Sequence, residues 1–349
     1  MIYDNDNIRP NFIIKSLFGD RTKYFSENEY YTQDDCTGIS YFDDSPYSME
    51  QVFNSLNTDY RVRVESGSYN FYSTLVAKSN LPEINIYGHN NPLLRLSQKN
   101  FLFTNIENVL IEKLRFEIFS FGNDGATFYF NNCNIILRNL TIAATIYKFL
   151  NIVSSKLLIE DSDFGYSEIK CTSNLSVTNS PVMIKNSKNI KILLEESSLE
   201  LEGCSNIEIY SNHTINTLVL KNCSNIKFNG TLVLDTFIDS SKDITITTEK
   251  IEYLNTKDSF IVLNINTLDN LIDARSEIKF STNTIKKSYL DKSILLGTIA
   301  GLNNSYVNNC TGDCLIDLAK VVYIDNSKLN LRTSNTVLEE KNIEEDEEE

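Results

Sequence analysis

Apolar and polar residues alternate along this chain in short bursts that recur. Three segments align by eye: Ile184-Lys-Asn-Ser-Lys-Asn-Ile-Lys-Ile, Leu201-Glu-Gly-Cys-Ser-Asn-Ile-Glu-Ile and Leu220-Lys-Asn-Cys-Ser-Asn-Ile-Lys-Phe. Anchored on the residue before each apolar-polar-apolar triplet, the frame falls at Lys156, Asn174, Asn189, Asn206, Asn225 and Asp243, at intervals of 18, 15, 17, 19 and 18. Upstream, Asn108 and Asn134 continue it with intervals of 26 and 22. Each triplet has the period of a strand with one buried face. The inward pairs are Leu157/Ile159, Leu175/Val177, Ile190/Ile192, Ile207/Ile209, Ile226/Phe228 and Ile244/Ile246; Leu158, Ser176, Lys191, Glu208, Lys227 and Thr245 face out. A strand this short cannot bury its face alone, but strands stacked at about 4.8 Å bury it continuously. The pattern predicts an all-β fold, a single-stranded parallel β-helix over roughly Glu50 to Thr248, with coils of fifteen to nineteen residues. Helical solenoids would need a 3.6-residue period, and leucine-rich repeats an L-x-x-L-x-L frame; neither occurs.

The turns fit this reading. Asn, Ser and Lys precede the strands, and Asn tolerates left-handed backbone and can bond to a copy of itself one coil away. The anchoring Asn residues are therefore expected to be structural. Cys204 and Cys223 occupy equivalent positions in adjacent coils and are expected to be stacked, buried free thiols. Ser48-Met-Glu-Gln51 has the form of a capping box, followed by Met49, Val52, Phe53 and Leu56 at helical spacing, so a short helix is expected to cap the solenoid's open end. The predicted organisation is an N-terminal arm (1–45), regular β-helix (46–256), irregular C-terminal coils or strands (257–338) and a disordered acidic tail (339–349).

After the helix come Val62, Val64, Gly67, Tyr69, Leu75, Ala77, Ile84, Ile86 and Gly88, reading V-x-V-x-x-G-x-Y, then L-x-A, then I-x-I-x-G. This resembles the first coils of right-handed, pectate-lyase-like β-helix proteins. The resemblance implies right-handed coiling across Glu50 to Thr248. It does not imply a function, because that superfold carries lyases, hydrolases, tailspikes, adhesins and non-catalytic scaffolds.

Composition sharpens the picture. Hydrophobic residues make up 41% of 349, enough for a continuous core, and only 12 Gly and 5 Pro argue against a loop-rich chain. Net charge is −15, and −7 of it falls in Glu339 to Glu349. Binding to nucleic acid or an anionic membrane is not expected. Met1 to Ser16 lacks the apolar run of a secretory signal, and no stretch approaches a membrane span. Seven Cys without a CxxC pair suggest free thiols in a reducing compartment, so a cytoplasmic or virion location is expected.

Candidate chemistry is sparse. His89 follows Gly88, but the Gly-His-Gly of polygalacturonase-type hydrolases is not completed, and Asn90 follows. His213 sits in a loop, far along the axis from His89. Glycoside hydrolysis needs two carboxylates roughly 5 to 10 Å apart. The candidates are Glu160, Asp161 and Asp163 in one turn, with Glu195 and Glu196 in another. Four residues past each anchor the series reads Glu160, Thr178, Leu193, Tyr210, Asn229 and Thr247, which is no carboxylate ladder. Asp34-Asp35 and Asp43-Asp44 lack a calcium-loop spacing, and Arg115 and Arg138 read as isolated. No cofactor and no metal site is expected. Tyr129, Tyr147, Tyr166 and Tyr210 could line a flank that binds polysaccharide.

These residues favour a non-enzymatic β-helix binding or scaffold protein. It would hold a protein or glycan through its faces, as a viral or tailspike-like attachment component does, with homo-oligomerisation open. A polysaccharide lyase or glycoside hydrolase is the alternative, and an acidic DNA-mimic solenoid ranks last.

Overall fold

The computed structural model describes residues 12–14, 60–64, 68–71, 75–76, 80–97, 101–119, 128–143, 148–172, 181–195, 197–329 and 338–339. The chain is an all-β parallel solenoid of about 11 turns, with no helix among the described residues. It divides into two compact units, Met1–Leu193 and Leu194–Glu349. The expected capping helix over Ser48 to Leu56 lies outside the described residues, as do both acidic pairs of the N-terminal arm and residues 340–349.

In the first unit each turn carries three strands. Glu83–Gly88, Leu93–Ser97 and Phe101–Thr104 make one turn; Asn108–Glu112, Arg115–Phe119 and Phe128–Asn131 make the next, each strand parallel to its equivalent. Beneath them, Val62 pairs with Ile86 and Val64 with Gly88. Gly88 is needed for its size, since a Cβ there would lie 1.9 Å from the Lys113 carbonyl oxygen. Stacking turns Ile84, Val109, Ile135, Leu157 and Val182 into one buried column. Another face stacks aromatic rings, Phe101 on Phe128 at 4.7 Å and Phe103 on Phe130 at 4.9 Å.

One sequence expectation fails in this unit. Leu157 pairs with Val182, not with Leu175, and Ile159 pairs with Ile184. Asn189 donates to Asp163, 26 residues earlier, which seats Ile190 on the Phe164 column and off the Leu157 column. Turns here span 22 to 27 residues, as the bonds Cys133 to Ser155 and Asn132 to Asn105 record. Two faces of each coil carry an apolar-x-apolar triplet. A frame with one anchor per triplet therefore merged two columns and shortened some intervals. Leu175 and Val177 themselves lie outside the described residues.

In the second unit the expectation holds. Ile207 pairs with Ile226 and Ile226 with Ile244, all fully buried, and Glu208 pairs with Lys227 outside them. The column continues through Ile261, Ile278 and Leu295. Beyond Lys257, where the sequence suggests irregular coils, the spacing is instead uniform: Ser276 to Ser259, Ser288 to Ser305 and Asn308 to Asp291 are each bonded across 17 residues.

One corner explains that regularity. A residue with positive φ precedes a buried Ser or Cys in Asn222-Cys223, Ser240-Ser241, Asp258-Ser259, Arg275-Ser276, Lys292-Ser293 and Asn309-Cys310. The Ser241 hydroxyl accepts the Cys223 N–H (3.1 Å) and donates to the Asp239 carbonyl (2.9 Å); Ser259 repeats this for Ser241 and Lys257. Each hydroxyl thus pairs a corner amide that burial would otherwise orphan. Cys204 and Cys223 are free, buried and in neighbouring turns, as expected. Burial pushes the Cys314 thiol up to about 12, so it stays protonated and unreactive. The Asn ladder is likewise real: Asn225 donates to Asn206 at 2.8 Å, and both have positive φ.

Candidate functional site

The three carboxylates singled out by the sequence are parts of stacking ladders. Glu112, Arg138, Glu160 and Lys185 occupy one outward column in successive turns. Arg138 donates to Glu160 (2.8 and 2.9 Å) and faces the buried Glu112 at 3.8 Å, so Arg138 is not isolated. Asp161 holds a positive-φ corner and accepts from Asn186 at 3.2 Å. Asp163 accepts from Asn189 (2.9 Å) and the Gly165 amide (3.1 Å) and pairs with Lys188 at 3.2 Å. Burial pushes its carboxyl up, but these bonds and the Lys188 charge outweigh burial and hold it below the ordinary range. A glycosidase acid must instead be held high, so this environment opposes that role.

The ladder sets a measurable difference. Arg138→Met removes the cation from a buried Glu112 and from Glu160 together, and should cost about 1–3 kcal/mol. Glu160→Gln leaves Arg138 with Glu112 and should cost well under that. Urea unfolding of both variants checks the order, and equal costs would contradict it.

The remaining candidates do not assemble. His89 is an exposed turn residue whose amide donates to Val64, and Asn90 stands beside its ring at 3.3 Å. His213 is exposed, with its amide on the Ser211 hydroxyl. No group of three or more His, Cys, Asp or Glu stands close enough to hold a metal ion among the described residues. Tyr210 is exposed and donates to Glu208, while Tyr129 is half-buried between Leu102 and Asn151. Tyr147 and Glu196 lie outside the described residues.

A different feature of the second unit forms a groove. On one face, two outward columns flank a buried one. The first runs Tyr253, Asn270, Lys287 and Asn304; the second runs Ile272, Tyr289, Tyr306 and Tyr323. Together they line a groove of about 430 Å³ whose floor is Leu271, Ser288 and Ser305. The Ser288 hydroxyl is turned inward onto that of Ser305 (2.7 Å). Beyond Tyr253 the first wall offers amide and ammonium groups, and beyond Ile272 the second offers aromatic rings, so Lys287 shares a rung with Tyr289 and Asn304 with Tyr306. Tyr289 and Tyr306 stack at 5.4 Å and 14°, so their ring edges line the groove. Tyr289 is 49% exposed and Tyr323 40%.

Three of the seven large exposed hydrophobics among the described residues, Ile272, Tyr289 and Tyr323, lie on this second column, and a fourth, Phe237, lies on it two rungs before Ile272. Scattered exposed hydrophobics need no explanation, but a row of them does. The sequence carried a signal: Tyr289, Tyr306 and Tyr323 stand 17 apart, the coil length beyond Lys257. The Asn-anchored frame ended before reaching them.

No helix is long and apolar enough to cross a membrane among the described residues. No protein-family model, no curated protein and no solved structure matches this chain, so its placement among parallel β-solenoids rests on the strand register itself.

Proposed function

We propose that this protein is a non-enzymatic β-solenoid scaffold that holds an extended, hydroxyl-rich chain, a glycan, in the groove along Tyr253 to Tyr323. The observation that carries the reading is the pairing of a polar wall with an aromatic wall over successive rungs. Asn270 and Asn304 can each donate to and accept from a hydroxyl, and Lys287 can donate. Tyrosine supplies apolar contact and a polar tip at little entropic cost. A surface-attachment component of tailspike type is a setting such a groove fits. Ladder partners engage Glu160, Asp161 and Asp163, which supports binding over cleavage.

The test is a glycan binding screen with the full chain and two variants, Tyr289→Ala and Lys287→Ala. For any glycan retained, each substitution should weaken binding about tenfold or more. Glycan binding that both variants leave unchanged would move the site elsewhere. Retention of proteins with no glycan bound would replace the ligand class.

A further inference from the structure

One inward column of the second unit runs Leu201, Leu220, Ile238, Thr256, Asp273, Leu290 and Val307. Asp273 places a carboxyl in the middle of this largely apolar column, and it is fully buried. Its oxygens accept from the hydroxyls of Thr256 and Ser293 in the turns on either side. Ser293 also donates to the Asp291 carbonyl, so its single proton is shared between two acceptors. No cation stands in the cage among the described residues. The thiol of Cys310 is the other titratable group that faces it, and that thiol is raised by its own burial and by the charges of Asp273 and Asp291. The charged neighbours Lys257 and Asp291 sit at the next outward position of the flanking rungs, Arg275 at the corner beyond.

We propose that Asp273 is a built-in pH switch, a carboxylic acid whose proton locks the coils from Thr256 to Ser293 and whose loss loosens them. A carboxylate sealed from water, met only by the hydroxyls of Ser293, Thr256 and Ser276 and the Ala274 amide, is badly solvated, while the neutral acid can itself donate a hydrogen bond. Burial pushes this carboxyl up, and the hydroxyl bonds only partly offset it. The folded chain thus holds the proton more tightly than the unfolded chain. The stabilising contribution is complete below the ordinary Asp range, about 3.9, and is lost as pH rises through the folded value. Asp273 is the direct neighbour of Ile272, and Leu290 of Tyr289, so the loosened coils are those that carry the aromatic wall. The consequence for a ligand rests on the groove reading above; the titration does not.

The experiment compares wild type and Asp273→Asn by thermal unfolding from pH 5 to 8, in the absence of any ligand. The Asn variant keeps an acceptor and removes the charge. Its Tm relative to wild type should climb as pH rises toward the folded value of Asp273 and level off above it. Amide exchange in wild type should quicken selectively at Asp273, Leu290 and their strand partners as pH rises, beyond the intrinsic rate. A second measurement stands if the variant does not fold: the side-chain carboxyl carbon-13 shift of Asp273 in wild type should titrate above the ordinary Asp range. A pH-independent Tm difference, or a carbon-13 midpoint in the ordinary range, overturns the switch. Glycan binding that Tyr289→Ala and Lys287→Ala leave unchanged, with this titration intact, would count against the groove alone.

Discussion

Ile226→Asp should abolish folding of the second unit. Ile226 is fully buried, with Ile207 on the preceding turn and Ile244 on the next. Removing its side chain alone costs about 2–5 kcal/mol, because stacked rungs cannot collapse into the space. The carboxylate adds an unpaired charge or, if protonated, an unbonded acid, for about 2 kcal/mol or more. Against the roughly 5–15 kcal/mol that holds an ordinary domain together, this is most of the margin. Lys227→Gln is the control one residue away. Lys227 points out, and the change should stay within about 0.5 kcal/mol. Soluble yield and urea unfolding read both. An Ile226→Asp protein as stable as Lys227→Gln would mean that the inward column is misassigned.

Phe130→Ala should be the most damaging single truncation in the first unit. The ring is buried, lies on Phe103 at 4.9 Å and 9°, and neighbours Phe128 at 6.2 Å. Truncating a buried Phe costs about 3–5 kcal/mol, and a lost ring pair about 0.5–1.5 kcal/mol of that kind again. The neighbouring turns are hydrogen-bonded above and below and cannot move in to fill the gap. Amide exchange should therefore accelerate first in Phe101–Thr104, Phe128–Asn131 and Lys148–Val153, the strands of this face. Phe130→Leu should recover more than half of the loss. A cost under about 1 kcal/mol for Phe130→Ala would show that the aromatic stack does not support this unit.

The architecture was legible because stacking imposes one chemistry on each column. The Ile207, Ile226, Ile244 frame shows in the sequence for that reason, as do the Asn206 and Asn225 anchors and the Cys204 and Cys223 pair. Legibility failed in two places for physical causes. Before Leu193, each coil has several faces with the same apolar alternation and corners of unequal length, so equivalent positions are not equally spaced. Beyond Lys257, the spacing is uniform, but Phe260, Glu277 and Ile294 fill the position that Asn206 and Asn225 anchor, and Asp258, Arg275 and Lys292 fill the corner before it, where Asn222 stood. The left-handed corner there is held by the following Ser, whose hydroxyl answers the buried amide, so the identity of the corner residue is free to drift. A frame anchored on Asn lost the repeat where it is most regular, and with it the Tyr column.

The candidate site was less legible than the fold. Glu160, Asp161 and Asp163 stand out in sequence as an acidic cluster, yet their partners come from turns 22 to 26 residues away. Only the register brings Arg138, Asn186 and Asn189 to them. Asp273 was invisible for the opposite reason. An isolated Asp between Ile272 and Ala274 reads as a surface residue until its column is known.

The claim that this solenoid binds without cleaving is tested most directly by one titration. A glycan retained in the binding screen is titrated into the protein calorimetrically, with and without calcium, and the same samples are then analysed for shortened chains. Saturable binding, weakened by Tyr289→Ala, with no product in either condition, is the expected result. Product that appears with wild type and disappears in Asp161→Asn or Asp163→Asn, with the fold intact, would contradict it and make the protein a polysaccharide-cleaving enzyme.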